Sequence, residues 1–162
     1  MDFNSAKKLL MQENLTCIIF HDDDIYTSSE RGVKPLLKLI DAGKSCKGHE
    51  AVDKVIGKAA AFLYVILGVT KIHAGVISQS ALQVLRDNQI TITYDKLVGY
   101  IENRTKDGRC PMESAVLHID DCNEALAAIR QKVKELNGGK SMSNKFFGNV
   151  KKNFGFGCMR LR

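Results

Sequence analysis

Residues 71–94, KIHAGVISQSALQVLRDNQITITY, constrain the fold more than any other stretch of the chain. A β-branched run (71–78) leads into a segment that opens on a Ser cap and spaces its apolar residues as a helix does (78–88). A second β-branched run, QITITY (89–94), follows at once. Two strands joined by a helix should lie parallel and adjacent, with a right-handed crossover.

The rest of the chain repeats the alternation. LTCIIFH (15–21) and DDDIYTSS (22–29) read as a hairpin, two strand-like runs parted by acidic turn residues. GVKPLLKLIDAG (32–43) carries Val33, Leu36, Leu37 and Ile40 at helical spacing and closes on Gly43. A long helix is expected from Glu50 to Leu67, ended by Gly68, and DKLVGYIENR (95–104) reads as irregular or as a turn of helix. A further helical stretch begins in the 110s, and CNEALAAIRQKVKEL (122–136) is an amphipathic helix stopped by NGG. The N-terminal residues read as a short amphipathic helix. Helices alternating with strands imply a sheet with helices on both faces, so the expected fold class is α/β, with one domain over residues 1–137.

Composition narrows the function classes. With 44% hydrophobic and 26% charged residues the chain is ordinary for a soluble domain. The apolar run from Ala59 to Thr70 falls short of the roughly 20 residues that cross a bilayer. With no signal-like N-terminus, the expected location is cytoplasmic. The net charge of +6 is unevenly spread: after Gly139 come Lys140, Lys145, Lys151, Lys152, Arg160 and Arg162 and no acid, which leaves residues 1–139 electrically balanced. The body is therefore not a basic nucleic-acid platform. Residues 138–162 read as a basic tail, a candidate for weak contact with nucleic acid or an anionic surface. No two of the five cysteines form a CxxC, and His21, His49, His73 and His118 have no partner at ligand spacing, so no metal and no cofactor are expected.

Two clusters carry the candidate chemistry. In AVDKVIGKAAAFLYVILG, Asp53 suits a helix opening, whereas Lys54 and Lys58 sit badly there as a like-charged pair near the positive end of the dipole. Lysines at a helix N-terminus make a site for phosphate or carboxylate. Equally, both can reach water and pair with Asp53 or Glu50. In NRTKDGRCPMES (103–114), Cys110 precedes Pro111 and stands three residues before Glu113. Cys110 reads either as a nucleophile with Glu113 as its proton carrier, or as a small residue at a plain helix start. Arg31, in the loop SSERGVKP, is a further candidate for ligand contact.

NLTCIIF, SSERGVKPLLKLID, AVDKVIGKAAA, VISQSALQVL and IENRTKDGRCPMES follow in the order of a family of uncharacterised prokaryotic proteins. The chain resembles this domain of unknown function, placed in the cytidine deaminase-like superfamily, from about residue 3 to about residue 137. The resemblance implies a three-layer α/β/α sandwich around a central mixed sheet. In true deaminases a His/Cys-x-Glu motif opens the second helix and Pro-Cys-x-x-Cys opens the third, together holding zinc. Here those openings are assigned to Asp53-Lys54-Val55 and to Ser78-Gln79-Ser80-Ala81, without the ligands. The expectation is a deaminase scaffold without deaminase chemistry. Its cleft is formed by Asp53, Lys54 and Lys58 with Ser78 and Ser80, walled by Cys110 and Glu113. It would act on a small anionic or nucleoside-like metabolite as a non-zinc enzyme, or hold such a ligand without turnover. Superfamily relatives often form dimers or tetramers, an analogy of fold that raises a homo-oligomer as one option.

Overall fold

The structure is a computed structural model that describes residues 1–138. The basic tail lies outside the described residues. Eleven elements follow in order: α1 (Phe3–Gln12), β1 (Cys17–His21), β2 (Asp24–Ser28), α2 (Lys34–Asp41), β3 (Glu50–Ile56), α3 (Lys58–Leu67), β4 (Lys71–Ser78), α4 (Gln79–Asp87), β5 (Thr91–Val98), α5 (Pro111–Ala115) and α6 (Cys122–Asn137). The strands form one mixed sheet in the order β2-β1-β3-β4-β5. β1 runs antiparallel to both β2 and β3, and β3, β4 and β5 run parallel.

Side-chain alternation along the strands builds the two outer layers. Ile18, Phe20 and Val52 face α1, where they meet Ala6 and Leu10. Ile19, Ala51, Ile72, Ala74 and Ile77 face the other way, toward the apolar sides of α2, α3 and α4. α6 joins this second layer through Ala125 and Ile129. The result is the expected α/β/α sandwich, with one helix on the first face and the rest on the second.

Two element assignments change. The long helix expected over 50–67 is a strand followed by a helix. Its first half, EAVDKVI, is the third strand of the sheet, pairing with β1 on one side and β4 on the other. Val52, Val55 and Ile56 are β-branched and fit a pleated strand between two neighbours better than a helix. Gly57 divides the halves, and α3 opens only at Lys58. Lys54 and Lys58 are thus not neighbours on one helix, and only Lys58 lies at a helix N-terminus. β5 also continues beyond Tyr94: Lys96, Leu97 and Val98 pair with Val76, Ile77 and Ser78 of β4, so parallel pairing carries residues 95–98 into the sheet.

Between the middle strands the backbones approach closely. A Cβ at Gly75 of β4 would stand 2.7 Å from the carbonyl oxygen of Lys54 on β3, so only glycine fits there. The strands' core-facing parity shifts at this level: Ala51 and Ala74 point to the second face before it, Ile56 and Ile77 after it. β3 then ends at the Gly57 turn, and the first turn of α3 lies beside the 101–113 segment.

Candidate functional site

A cavity of about 400 Å³ opens where these pieces converge. Thr16 and Cys17 come from the start of β1, Arg31 and Gly32 from the loop before α2, and Asp53, Lys54 and Gly57 from β3 and its exit. Ala59 and Ala60 come from the first turn of α3, and Glu102, Arg104, Cys110 and Glu113 from the segment that follows β5. Pockets of this size hold small molecules, not polymers.

Glu113 organises the opening of α3. It is almost wholly buried, at 1% exposure, and donors engage both of its carboxylate oxygens. Oε1 accepts from the Lys58 N–H at 3.3 Å and from the Ser80 hydroxyl at 3.1 Å. Oε2 accepts from the Ile101 N–H at 2.6 Å, with an Arg109 guanidinium nitrogen 3.9 Å away. One carboxylate therefore satisfies an otherwise orphaned helix N–H and ties α3, α4 and the 101 segment to α5. A Cβ at Gly57 would come within 3.6 Å of Oε1 and 3.3 Å of Ile101, so the glycine lets this staple close.

Asp53 lines the cavity from β3. It stands across from Cys17 in the β1–β3 ladder and across from Ala74 in the β3–β4 ladder. The Tyr64 hydroxyl donates to Oδ2 at 2.7 Å and the Val55 N–H donates to Oδ1 at 3.0 Å. Burial pushes the Asp53 carboxyl up to about 6, against the pull of those two hydrogen bonds. Burial, and then the Asp53 charge, push the Cys17 thiol far above its ordinary range, so it stays protonated.

The expected site residues divide. Asp53, Lys54, Arg31, Cys110 and Glu113 line one cavity. Lys58 does not: its ammonium turns away, donates to the Leu117 carbonyl at 2.8 Å and lies 5.7 Å from the Phe62 ring centroid. Ser78 caps α4 through the Ala81 N–H, and Ser80 bonds Glu113, so both serines support the site from behind. The Lys54 ammonium reaches Asn14 Oδ1 at 3.0 Å. Cys110 is partly exposed, and its N–H donates to Ile101 O at 2.7 Å. Among the described residues Arg31 and Arg104 make no ion pair with any acid. Arg104, Cys17 and Tyr64 were not singled out in the sequence. Arg104 sat in the 103–114 stretch, whereas Cys17 and Tyr64 carry no signal until the β1–β3 register and the α3 face are known.

A deaminase zinc does not fit here. Because α3 starts at Lys58, its opening reads Lys58-Ala59-Ala60, and α4 opens on Ser78-Gln79-Ser80. None of these supplies a thiolate or an imidazole. No three His, Cys, Asp or Glu side chains converge among the described residues. Nor is any described helix long and apolar enough to cross a membrane.

The family model for the domain of unknown function DUF1893 matches residues 5–133. The chain belongs to the DUF1893 family. It is similar to the crystal structure of a DUF1893 protein from Thermotoga maritima, with 28% identity and a TM-score of 0.73, covering 83% of this chain and 92% of that one. A fainter likeness, at 11% identity and a TM-score of 0.44, reaches an apo dCMP deaminase from the cyanophage S-TIM5 over 60% of this chain and 100% of that one. None of the curated proteins matches the chain.

Proposed function

We propose that this DUF1893 chain is a non-zinc enzyme that acts on a small anionic or nucleoside-like metabolite in the cavity at the opening of α3. One observation carries the reading. Two guanidinium groups without acid partners, Arg31 and Arg104, share a small cavity with the first turn of a buried helix and with a partly exposed thiol, Cys110. The cations select an anion, and the partly exposed thiol has nucleophilic capacity. Lys54 adds a third cation to the lining.

A second reading, binding without turnover, has its own support. Glu113 is fully engaged as a staple and Lys58 is bonded to a backbone carbonyl, so neither is free to move a proton to a ligand. Cys110 alone then separates the two readings.

The test has two arms. Thermal-shift screening of the full chain against inorganic phosphate, nucleoside monophosphates and small carboxylates should find anions that raise the melting temperature. Iodoacetamide labelling followed by peptide mass analysis should modify Cys110 faster than Cys17 and Cys46, and a bound anion should slow it. Binding with Cys110 no more reactive than Cys17 would leave only the silent binder. No stabilising anion at all would remove both readings.

A further inference from the structure

Two kinds of charge line the cavity and do not meet. Arg31, Lys54 and Arg104 supply cations. Three carboxylates line it as well: Glu102 is exposed, Glu113 is bonded to the Lys58 and Ile101 N–H groups, and Asp53 has two hydrogen-bond donors, the Tyr64 hydroxyl and the Val55 N–H, that are both neutral. The groups that face Asp53 bring it no positive charge. Cys17 opposite it on β1 is a protonated thiol, Ala74 opposite it on β4 is apolar, and Tyr64 of α3 is a neutral phenol. Lys54, next to it on β3, has its ammonium on Asn14.

A half-buried carboxylate is stabilised by a counter-charge as well as by hydrogen bonds. Each Asp53 oxygen accepts one bond and has room for another. The cavity lining holds both unpaired cations and a carboxylate with no counter-charge within about 400 Å³, a volume that one compact molecule fills.

We propose that the ligand is a small zwitterion, an anionic group joined by a short linker to a protonated nitrogen. The anionic group meets Arg31 and Arg104, and the nitrogen meets Asp53. This rests on the cavity being a binding site, as proposed above, and narrows what the site accepts. An anion without the nitrogen leaves Asp53 as it stands in the free protein, so it binds through one end only. A molecule with a second anionic group in place of the nitrogen brings negative charge up to Asp53 and is rejected.

The experiment is isothermal titration of the full chain with matched pairs: 3-aminopropyl phosphate against 3-hydroxypropyl phosphate, and γ-aminobutyrate against 4-hydroxybutyrate. The amino member of at least one pair should bind about tenfold tighter at neutral pH, the effect expected of one charge-assisted hydrogen bond. The Asp53→Asn variant should bring that ratio close to one while the hydroxy member keeps its affinity. With the carboxylate pair, the wild-type ratio should fall as pH drops through about 6, where Asp53 takes up its proton. This pH series tests the same contact in the wild-type chain, and so decides the matter even if Asp53→Asn does not fold. Hydroxy members that bind as well as amino members overturn the zwitterion and leave the anion cavity intact. A preference for the amino member that survives both Asp53→Asn and acid pH also overturns it, because the nitrogen then lies elsewhere. If no member of either pair binds, and no anion in the thermal-shift panel does, the cavity reading falls and this inference falls with it.

Discussion

The Tyr64 hydroxyl donates to the Asp53 carboxylate at 2.7 Å, a bond that fastens the middle of α3 to the centre of β3 in the cavity wall. Both groups are shifted by their burial, and each pushes the other's protonation in the direction the bond requires. The carboxylate is the acceptor, and the phenol, raised well above its ordinary range by burial and then by the Asp53 charge, keeps its proton. Tyr64→Phe removes the donor and leaves a buried acceptor short of a partner. It should cost about 1–3 kcal/mol of stability in urea unfolding at pH 7.5.

The same pair sets a pH dependence with a definite sign. Asp53 has a higher folded-state pKa, about 6, than its ordinary value of 3.8. Between those values the folded chain holds more protons than the unfolded one, so this group makes stability fall as pH rises through the window and level off above it. Relative to Asp53→Asn, the wild type should lose about 1–2 kcal/mol between pH 4 and pH 7, after allowance for partial exposure. Parallel unfolding curves for the two proteins across that range would show that Asp53 does not carry the shift.

Glu113 should be a stability residue before anything else. Glu113→Ala strands the Lys58 and Ile101 N–H groups and should cost about 3–5 kcal/mol, the range for breaking a buried charged network. Glu113→Gln keeps an acceptor for Lys58 and Ser80 but sets an amide donor against the Ile101 N–H, so about 2 kcal/mol is expected. Denaturant midpoints measure both. A loss below about 1 kcal/mol for the alanine variant would show that the 101–113 segment is held by other contacts.

Much of this fold could be read from residue patterns, and the failures have a common cause. The β4–α4–β5 unit, the β1–β2 hairpin and α6 each declare themselves through local periodicity and caps, such as Ser78 accepting from the Ala81 N–H. EAVDKVI did not, because apolar residues at 52, 55 and 56 suit either a helix face or a strand shared by two neighbours. Only pairing with β1 and β4 decides it, and pairing is not local. The site shows the same division. Asp53, Arg31 and Cys110 stood out by residue type in suggestive stretches. The turning away of Lys58 depends on the Leu117 carbonyl, 59 residues on, which no spacing rule reports.

Gly75 tests the geometry of the sheet beneath the site. A methyl group there meets the Lys54 carbonyl oxygen at 2.7 Å, and a backbone atom in the sheet cannot step aside. Gly75→Ala should therefore cost about 1–3 kcal/mol and weaken anion binding, because Lys54 and Asp53 move with their strand. Gly99→Ala, where a Cβ meets nothing within 4 Å, is the matched control and should stay within about 0.5 kcal/mol of wild type.

The cations separate recognition from support. Arg31 and Arg104 line the cavity without acid partners, so replacing either by alanine removes charge from the ligand's surroundings and breaks no ion pair among the described residues. Each variant should melt within a degree or two of wild type and bind the best anion from the thermal-shift panel about five- to tenfold more weakly, with a flatter salt dependence. Lys58→Met is the contrast. That ammonium sits on the Leu117 carbonyl and faces away from the cavity, so its loss alters packing while anion affinity stays within about twofold. Titration calorimetry on the three variants distinguishes the two roles. If Lys58→Met lost affinity as Arg31→Ala does, the anion would sit deeper against α3 than the cavity lining implies, with the lysine swinging round to meet it.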